Sequence, residues 1–288
     1  MSFQITTALK EEYNATFQVL MQQMESRLEG AVRVESGAYG RNEFFDQISA
    51  TAAQKRVTRH ADTPLISTPH LRRRVSLDDY DWADLIEKFD KLKTVTDPQS
   101  AYLKNAVAAM NRAKDDAIIA VFNATCYGGM DGTTSYAFDT TNKQILHGST
   151  GLTLTKLLSA KQKLDADEVP EEGRFIVCGS KQINNDLLNT TEVKSADYNT
   201  VKALARGEID TFLGFKFIRS ERLTVASSVR YCYAWHRDSM LLAICSDIAT
   251  DISTRADKNN AVQVYAGMSI GATRMDEDGV VEIQAYET

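Results

Sequence analysis

The sequence predicts an α+β fold, and three observations carry that expectation. A single long amphipathic helix spans residues 97–125. Alternating apolar residues fill 230–288 with strands. Between the N-terminus and the helix, residues 51–76 form a basic, proline-bearing segment with too few apolar residues for a core of its own. With 288 residues the chain is long enough for one or two domains with a sizeable core.

Taken in order, residues 7–28 are expected to form an amphipathic helix, because Leu9, Tyr13, Phe17, Leu20, Met24 and Leu28 return every three or four positions. Glu11 and Glu12 in its first turn favour the helix dipole. Residues 31–49 read as short extended pieces broken at Gly37 and Gly40, with Phe44, Phe45 and Ile48 as anchors. In the segment 51–76, Lys55, Arg56, Arg59, Arg72, Arg73 and Arg74 face a single acid, Asp62, and Pro64 and Pro69 lie between. A long extended loop or hairpin is expected, serving as a solvated loop, a nucleic-acid contact or an arm that reaches a partner. The acidity of the whole chain lowers the second reading. Basic loops on acidic chains suit charge-complementary contacts, which favours the third.

Ser76-Leu77-Asp78-Asp79 is similar to a capping box, so a short helix is expected next, with Trp82, Leu85, Ile86 and Phe89 on one face. Asp97-Pro98 then opens the long helix: Asp caps a free N–H, and proline fits the first turn because its missing donor is not needed there. Leu103, Ala106, Met110, Ala113, Ala117, Ala120 and Ala124 make a narrow stripe of small residues along which a sheet can approach closely. Lys104, Asn111, Arg112, Lys114 and Asp115 supply its polar faces, and Tyr127-Gly128-Gly129 ends it. Such a rod would run roughly 40 Å.

The Gly-, Thr- and Ser-rich stretch 128–151 marks a boundary. Residues 152–226 read as a compact α/β insert. A helix carries Leu154, Leu157, Leu158 and Leu164; a turn over 169–173 leads to a strand over 174–178. Ser180 caps a second helix with Ile183, Leu187 and Leu188, and a hairpin or bulged strand over 209–218 is punctuated by Gly207 and Gly214. In the tail, Tyr231, Tyr233 and Trp235 alternate, Met240 to Cys245 is continuously apolar, and Val262 to Ala272 alternates again. Asp278-Gly279 is a hairpin turn leading into Val281, Ile283 and Ala285.

No catalytic signature is present. The chain lacks a phosphate-binding glycine-lysine loop and a dinucleotide glycine fingerprint, and Gly148-Ser149-Thr150-Gly151 lacks the spacing of a nucleophile elbow. His60, His70, His147 and His236 are scattered, with no metal-ligand spacing; His236 sits at a turn and reads as solvated. Asp276-Glu277-Asp278 reads as an exposed turn. Cys126, Cys178, Cys232 and Cys245 have no paired spacing, and the last three sit in apolar strand-like runs, as buried reduced thiols do. No run of ~18 apolar residues reads as a membrane span, and the N-terminus does not read as a secretory signal. No cofactor, no metal and no enzyme activity are expected. The net charge of −6 argues against a shell-wide affinity for nucleic acid.

In their order and spacing, several stretches resemble the major capsid proteins of tailed bacteriophages, with the Hong Kong 97-like fold. Arg59-His60-Ala61-Asp62-Thr63-Pro64 and Arg72-Arg73-Arg74-Val75-Ser76-Leu77-Asp78-Asp79-Tyr80 are similar to the family's extended loop. Residues 97–116 resemble its spine helix, and residues 157–180 the start of its axial domain. Leu213-Gly214-Phe215-Lys216-Phe217-Ile218 and residues 270–280 resemble later landmarks. The resemblance covers nearly the whole chain from about residue 35.

It implies an N-terminal arm (1–37), an extended loop and spine helix of a peripheral domain (38–150), an axial domain (151–229) and C-terminal strands completing the peripheral domain (230–288). It also implies a virion protein, assembled in the host cytoplasm, that joins copies of itself into hexamers and pentamers and then an icosahedral shell. Expected partners are scaffolding, portal and cement proteins, and packaged double-stranded DNA bound without sequence specificity; no membrane is involved. A negative wall suits that content, since tight phosphate binding would hinder packing and release. Arg59, Arg72, Arg73 and Arg74 are the candidates for pairing with acids on a neighbouring copy. Members with a fused scaffolding segment have a longer leader, so this chain is expected to be trimmed or served by a separate scaffold. Members that lock their shells covalently use a lysine on the loop; here that leaves Lys55, read as near the loop's base, and no such bond is expected. Two alternatives remain open: an encapsulin-type compartment shell, with residues 7–28 receiving cargo, and a soluble α/β enzyme with its site in 152–226.

Overall fold

A computed structural model describes residues 20–59, 62–63, 65–86, 99–187 and 211–287. Its strands and helices, in chain order, begin with β1 (Arg33–Ser36), β2 (Asn42–Ile48), β3 (His70–Ser76), β4 (Asp78–Ile86) and the long helix α1 (Gln99–Val121). The middle of the chain supplies β5 (Cys126–Gly128), β6 (Thr134–Tyr136), β7 (Gln144–Ile145), α2 (Leu154–Ala166), β8 (Arg174–Cys178), β9 (Thr211–Phe212) and β10 (Phe215–Arg219). The tail supplies β11 (Val225–Ala226), β12 (Val229–His236), β13 (Met240–Arg255), β14 (Ala261–Arg274) and β15 (Val280–Tyr286). Three sheets result, with strand orders β1-β13-β14-β4, β7-β15-β12-β8-β10-β9 and β2-β3-β5-β6; β11 pairs with β12. The described residues divide into two units, one from 20–25, 79–86, 99–112 and 247–268, the other from 26–78, 113–187, 211–246 and 269–287.

The expected long helix is present; at 1.5 Å per residue α1 is roughly 35 Å long. Its start at Asp97-Pro98 lies outside the described residues. Its end comes earlier than expected, at Val121, because residues 126–128 pair as a strand with β3 and β6 and Tyr127-Gly128-Gly129 is therefore not the helix stop. The buried line is also rotated from the alanine stripe: Met110, Lys114, Ile118 and Phe122 follow at four-residue steps, whereas Ala120 is exposed. Lys114 and Asp115, expected on a polar face, are buried.

In the larger unit the helix end meets the central sheet through aromatic packing. Phe122 stacks on Tyr233 at 4.6 Å and lies 4.8 Å from Trp235, both on β12. The Trp235 indole N–H donates to the Ala31 carbonyl at 2.9 Å, tying the segment before β1 to the same core. Asp115 holds that segment from the other side, accepting from the Ser26 hydroxyl at 2.6 Å and from the backbone N–H groups of Arg27 and Leu28 at 3.1 Å.

A fully buried arginine holds the last carbonyl of α1, Val121, at 3.4 Å and the carbonyls just beyond it. Arg274 Nη1 donates to the Phe122 carbonyl at 2.8 Å and the Ala124 carbonyl at 3.0 Å, while Nη2 reaches the Tyr136 carbonyl at 3.3 Å. A cation at a helix C-terminus complements the macrodipole, and here it also satisfies orphan acceptors away from water.

Several sequence expectations hold. The strand 174–178, the turn before it and the helix carrying Leu154, Leu157 and Leu164 are all present. The expected hairpin is present within the described residues as β9–β10, turning at Leu213 and Gly214, both with positive φ (54° and 85°) as a two-residue turn of this hand requires. Gly207 lies outside the described residues. The tail is strand-rich throughout.

Other expectations are corrected. Residues 78–86 form strand β4 rather than a capped helix: Tyr80 and Trp82 are half-buried and their neighbours exposed, so a period of two beside β14 overrides the three-and-four spacing. Phe89 lies outside the described residues. Of the expected helix 7–28, residues 7–19 lie outside the described residues; 20–28 is not helical, with Leu20 exposed and Leu28 buried. Phe44 and Ile48, expected as anchors, are exposed, and Phe45 alone of that trio packs against a core cluster. After Ser180 the chain makes a π-helical turn, Gln182–Leu187, that buries Ile183 and Leu187; Leu188 lies outside.

Asp278-Gly279 is a turn between two sheets, not a hairpin, since β14 and β15 belong to different sheets. Glycine is required at 279 for space: a Cβ there would stand 1.7 Å from the Ser239 hydroxyl. Cys245 is exposed, contrary to expectation; Cys126, Cys178 and Cys232 are buried. Burial raises the Cys178 thiol well above its ordinary pKa and pushes Cys232 up to about 12, so neither is a thiolate nucleophile near neutrality. His236 is half-buried, with Nε2 at 2.9 Å from the Glu172 carbonyl.

Replacing Arg274 by methionine takes the donor from the buried Phe122 carbonyl and from the half-buried Val121 and Ala124 carbonyls. The expected cost is about 3 to 5 kcal/mol of stability in urea denaturation of the unassembled chain. A loss below about 1 kcal/mol would contradict the capping role.

Candidate assembly surface

The basic segment folds as the far part of a long hairpin. Strands β2 and β3 pair antiparallel from Asn42–Ser76 to Ile48–His70, and the ladder closes with Ser49 N–H donating to the Pro69 carbonyl at 3.1 Å. Beyond it, residues 50–59, 62–63 and 65–69 carry no regular pairing and are exposed. Val57 and Leu65 are 89% and 95% exposed, and Arg59 is exposed beside them. His60, Ala61 and Pro64 lie outside the described residues. Lys55 also lies in this distal part and not at the loop's base.

The period of two divides the three consecutive arginines. Arg73 and Val75 are buried, Arg72 is exposed and Arg74 is half-buried on the opposite face. Arg72 Nε donates to Asp46 Oδ1, its cross-strand partner, at 2.6 Å, and its guanidinium stands 5.6 Å from the Phe44 ring. The hydrogen bond from Arg72 holds the Asp46 carboxyl below its ordinary pKa. Arg74 lies over the Tyr127 ring at 5.0 Å.

Arg73 is only 3% exposed and is consumed within its own chain, contrary to the expectation that it reaches a neighbour. It lies 3.7 Å from the Tyr136 ring centre, donates to the Met275 carbonyl at 3.0 Å and pairs with Glu277 at 2.5 Å. Gln47 Nε2 reaches the same Met275 carbonyl at 2.8 Å. The root of the hairpin is thus fixed to the segment that carries Arg274, while its distal part presents apolar and cationic side chains outward.

Beside the root, Asp46, His70, Leu71, Arg72, Gly129 and Met130 line an open concavity of about 410 Å³. Met130 is 88% exposed there. Among the described residues no group of three His, Cys, Asp or Glu side chains is placed to hold a metal, and no helix is long and apolar enough to cross a membrane. Sequence reasoning missed Asp46, Glu277 and Arg274. Only the strand register and the path of β14 bring them to Arg72, Arg73 and the helix end.

A family model described as phage capsid protein matches residues 5–287. No protein of curated function matches by sequence. Among solved structures, the capsid of Ralstonia phage GP4 aligns with a TM-score of 0.76 at 12% identity, over 97% of this chain and 96% of that one. The capsid of cyanophage P-SCSP1u aligns with a TM-score of 0.73 at 16% identity, over 98% and 94%. A capsid chain of a native GTA particle aligns with a TM-score of 0.69 at 12% identity, over 98% and 96%. The mixed helix-and-sheet fold is therefore that of phage capsid chains.

Because Asp46 is depressed in the folded chain, its pair with Arg72 contributes fully above the ordinary value of 3.8 and is lost as pH falls through the lowered value. The stability gap between the wild type and Asp46→Asn should therefore be open at neutral pH and close in acid. Urea midpoints measured from pH 7 downward check it; a gap independent of pH would refute the pairing.

Proposed function

The chain belongs to the phage capsid protein family; as a major capsid protein it is a structural component of the virion, and we propose that it closes into hexamers and pentamers of a tailed-phage head. The hairpin is the observation that carries this reading. A root locked to its own chain and an exposed apolar and cationic tip suit a heterologous contact, repeated around a ring until it closes. If obligate, each such contact buries well above ~1,000 Å².

In this proposal residues 1–37 are the arm, 38–150 the extended loop and spine helix, 151–229 the axial domain and 230–288 the closing strands. Arg59 and Arg72, with Arg74, grip acids on the adjacent copy; Arg73 acts from inside by holding the hairpin root. The shell encloses double-stranded DNA without reading its sequence, assembles in the host cytoplasm and meets scaffolding, portal and cement proteins. Electron microscopy of native particles with nuclease-protection analysis tests it: shells holding double-stranded DNA are expected. Shells filled with protein cargo would make the chain an encapsulin-type compartment instead.

Charge reversal at Arg59 and Arg72 together, with Arg73 intact, should cut shell yield at physiological salt about tenfold, the equivalent of one modest contact energy. The monomer's circular dichroism spectrum should not change. Normal yield would remove these cations from the contact.

A further inference from the structure

Lys156 is buried in the first turn of α2, a place where the helix dipole disfavours a cation. Its Nζ donates to four backbone carbonyls at nearly one distance: those of His147, Thr150 and Gly151 at 2.8 Å and that of Gln284 at 2.9 Å. An ammonium group has three N–H donors, so four such contacts are not one hydrogen bond per proton. They are the coordination of a cation by carbonyl dipoles, as where backbone oxygens replace the water around an ion.

Asp186 holds the same segment from its other side. Its carboxylate accepts the Leu152 N–H at 2.8 Å, so the peptide between Gly151 and Leu152 gives its oxygen to a cation and its N–H to an anion. Glycine is required at 151 for that approach, since a Cβ would stand 2.1 Å from the Asp186 carboxylate. Burial lowers the pKa of Lys156, and the charge of Asp186 opposes that shift.

The oxygens also select the ion. Distances of 2.8 to 2.9 Å exceed the roughly 2.3–2.6 Å of calcium and the roughly 2.0–2.1 Å of magnesium, and none of the four oxygens is a carboxylate that could offset a second charge. A monovalent ion the size of ammonium or potassium fits them.

We propose that the carbonyls of His147, Thr150, Gly151 and Gln284 form a seat for a monovalent cation of ammonium size. The chain fills it with its own Lys156, and the filled seat joins residues 147–151 and the start of α2 to β15. The seat stands on this geometry and not on the capsid reading.

Lys156→Met keeps the aliphatic stem and removes the charged end, which opens the seat to an ion from solution. Urea unfolding of the unassembled full-length chain at pH 7 is compared in ammonium chloride and in tetramethylammonium chloride, each at about 0.5 M. The second salt matches the ionic strength, and its cation is too large for the seat. The folding equilibrium constant of the variant should fall at least about tenfold in tetramethylammonium. In ammonium it should recover by a factor at least about threefold larger than any gain of the wild type. A smaller fall or a smaller differential recovery overturns the proposal. Should the variant lack a folded circular dichroism spectrum in dilute buffer, that spectrum becomes the readout. Folding in ammonium chloride alone supports the seat, and folding in both salts or in neither overturns it.

Discussion

Arg274, on β14, donates to the last carbonyl of α1, Val121, at 3.4 Å and to the Phe122 and Ala124 carbonyls just beyond it. That guanidinium is fully buried, and its bond to the Phe122 carbonyl is buried with it. The position of the helix, the path of β14 and the course of residues 121–138 are consequently set together. Phe122, one residue past the helix, can then stack on Tyr233 and Trp235 only with that end in place. Without Arg274 the buried Phe122 carbonyl would lose this donor, at a cost of about 1 to 3 kcal/mol.

From this fixed point the hairpin inherits its character. Met275, next to Arg274, receives Gln47 and Arg73, and Glu277 receives Arg73 again. The hairpin root is therefore as firmly held as the helix end, while the distal part has only its own short-range contacts, such as the Arg56 side chain donating to the Thr58 carbonyl. A rigid root with an exposed tip transmits the orientation of one copy to the next, which is what a ring of identical subunits needs. Burial of the tip against another copy would also remove its exposed Val57 and Leu65 from water, a favourable term that grows with apolar area.

The architecture was legible where local signals and tertiary demands agreed. The long helix, the β9–β10 turn at Leu213-Gly214 and the alternating tail all follow from periodicity and turn chemistry. The resemblance of residues 59–64, 72–80 and 270–280 to capsid landmarks points to the family. Legibility failed where one pattern fits two structures. Trp82, Leu85 and Ile86 satisfy a helical stripe, yet Tyr80 and Trp82 also satisfy a strand, and pairing with β14 decides for the strand. It failed again on α1, where counting polar residues as outward hid Lys114 and Asp115. Their burial depends on Glu29 and on the Ser26–Leu28 segment, partners some 85 residues distant. The candidate contact shows the same limit. A run of three arginines advertises charge, but only the register with Asp46 and the return of Glu277 show that Arg72 and Arg73 each pair with an acid of their own chain.

A cryo-electron-microscopy map of the assembled shell at side-chain resolution tests the central claim most directly. The account predicts Arg274 on the carbonyls of Phe122 and Ala124 in every subunit, with residues 50–69 of each hairpin laid across an adjacent copy. A map in which those residues fold back onto their own subunit, or in which α1 ends without Arg274, would contradict it.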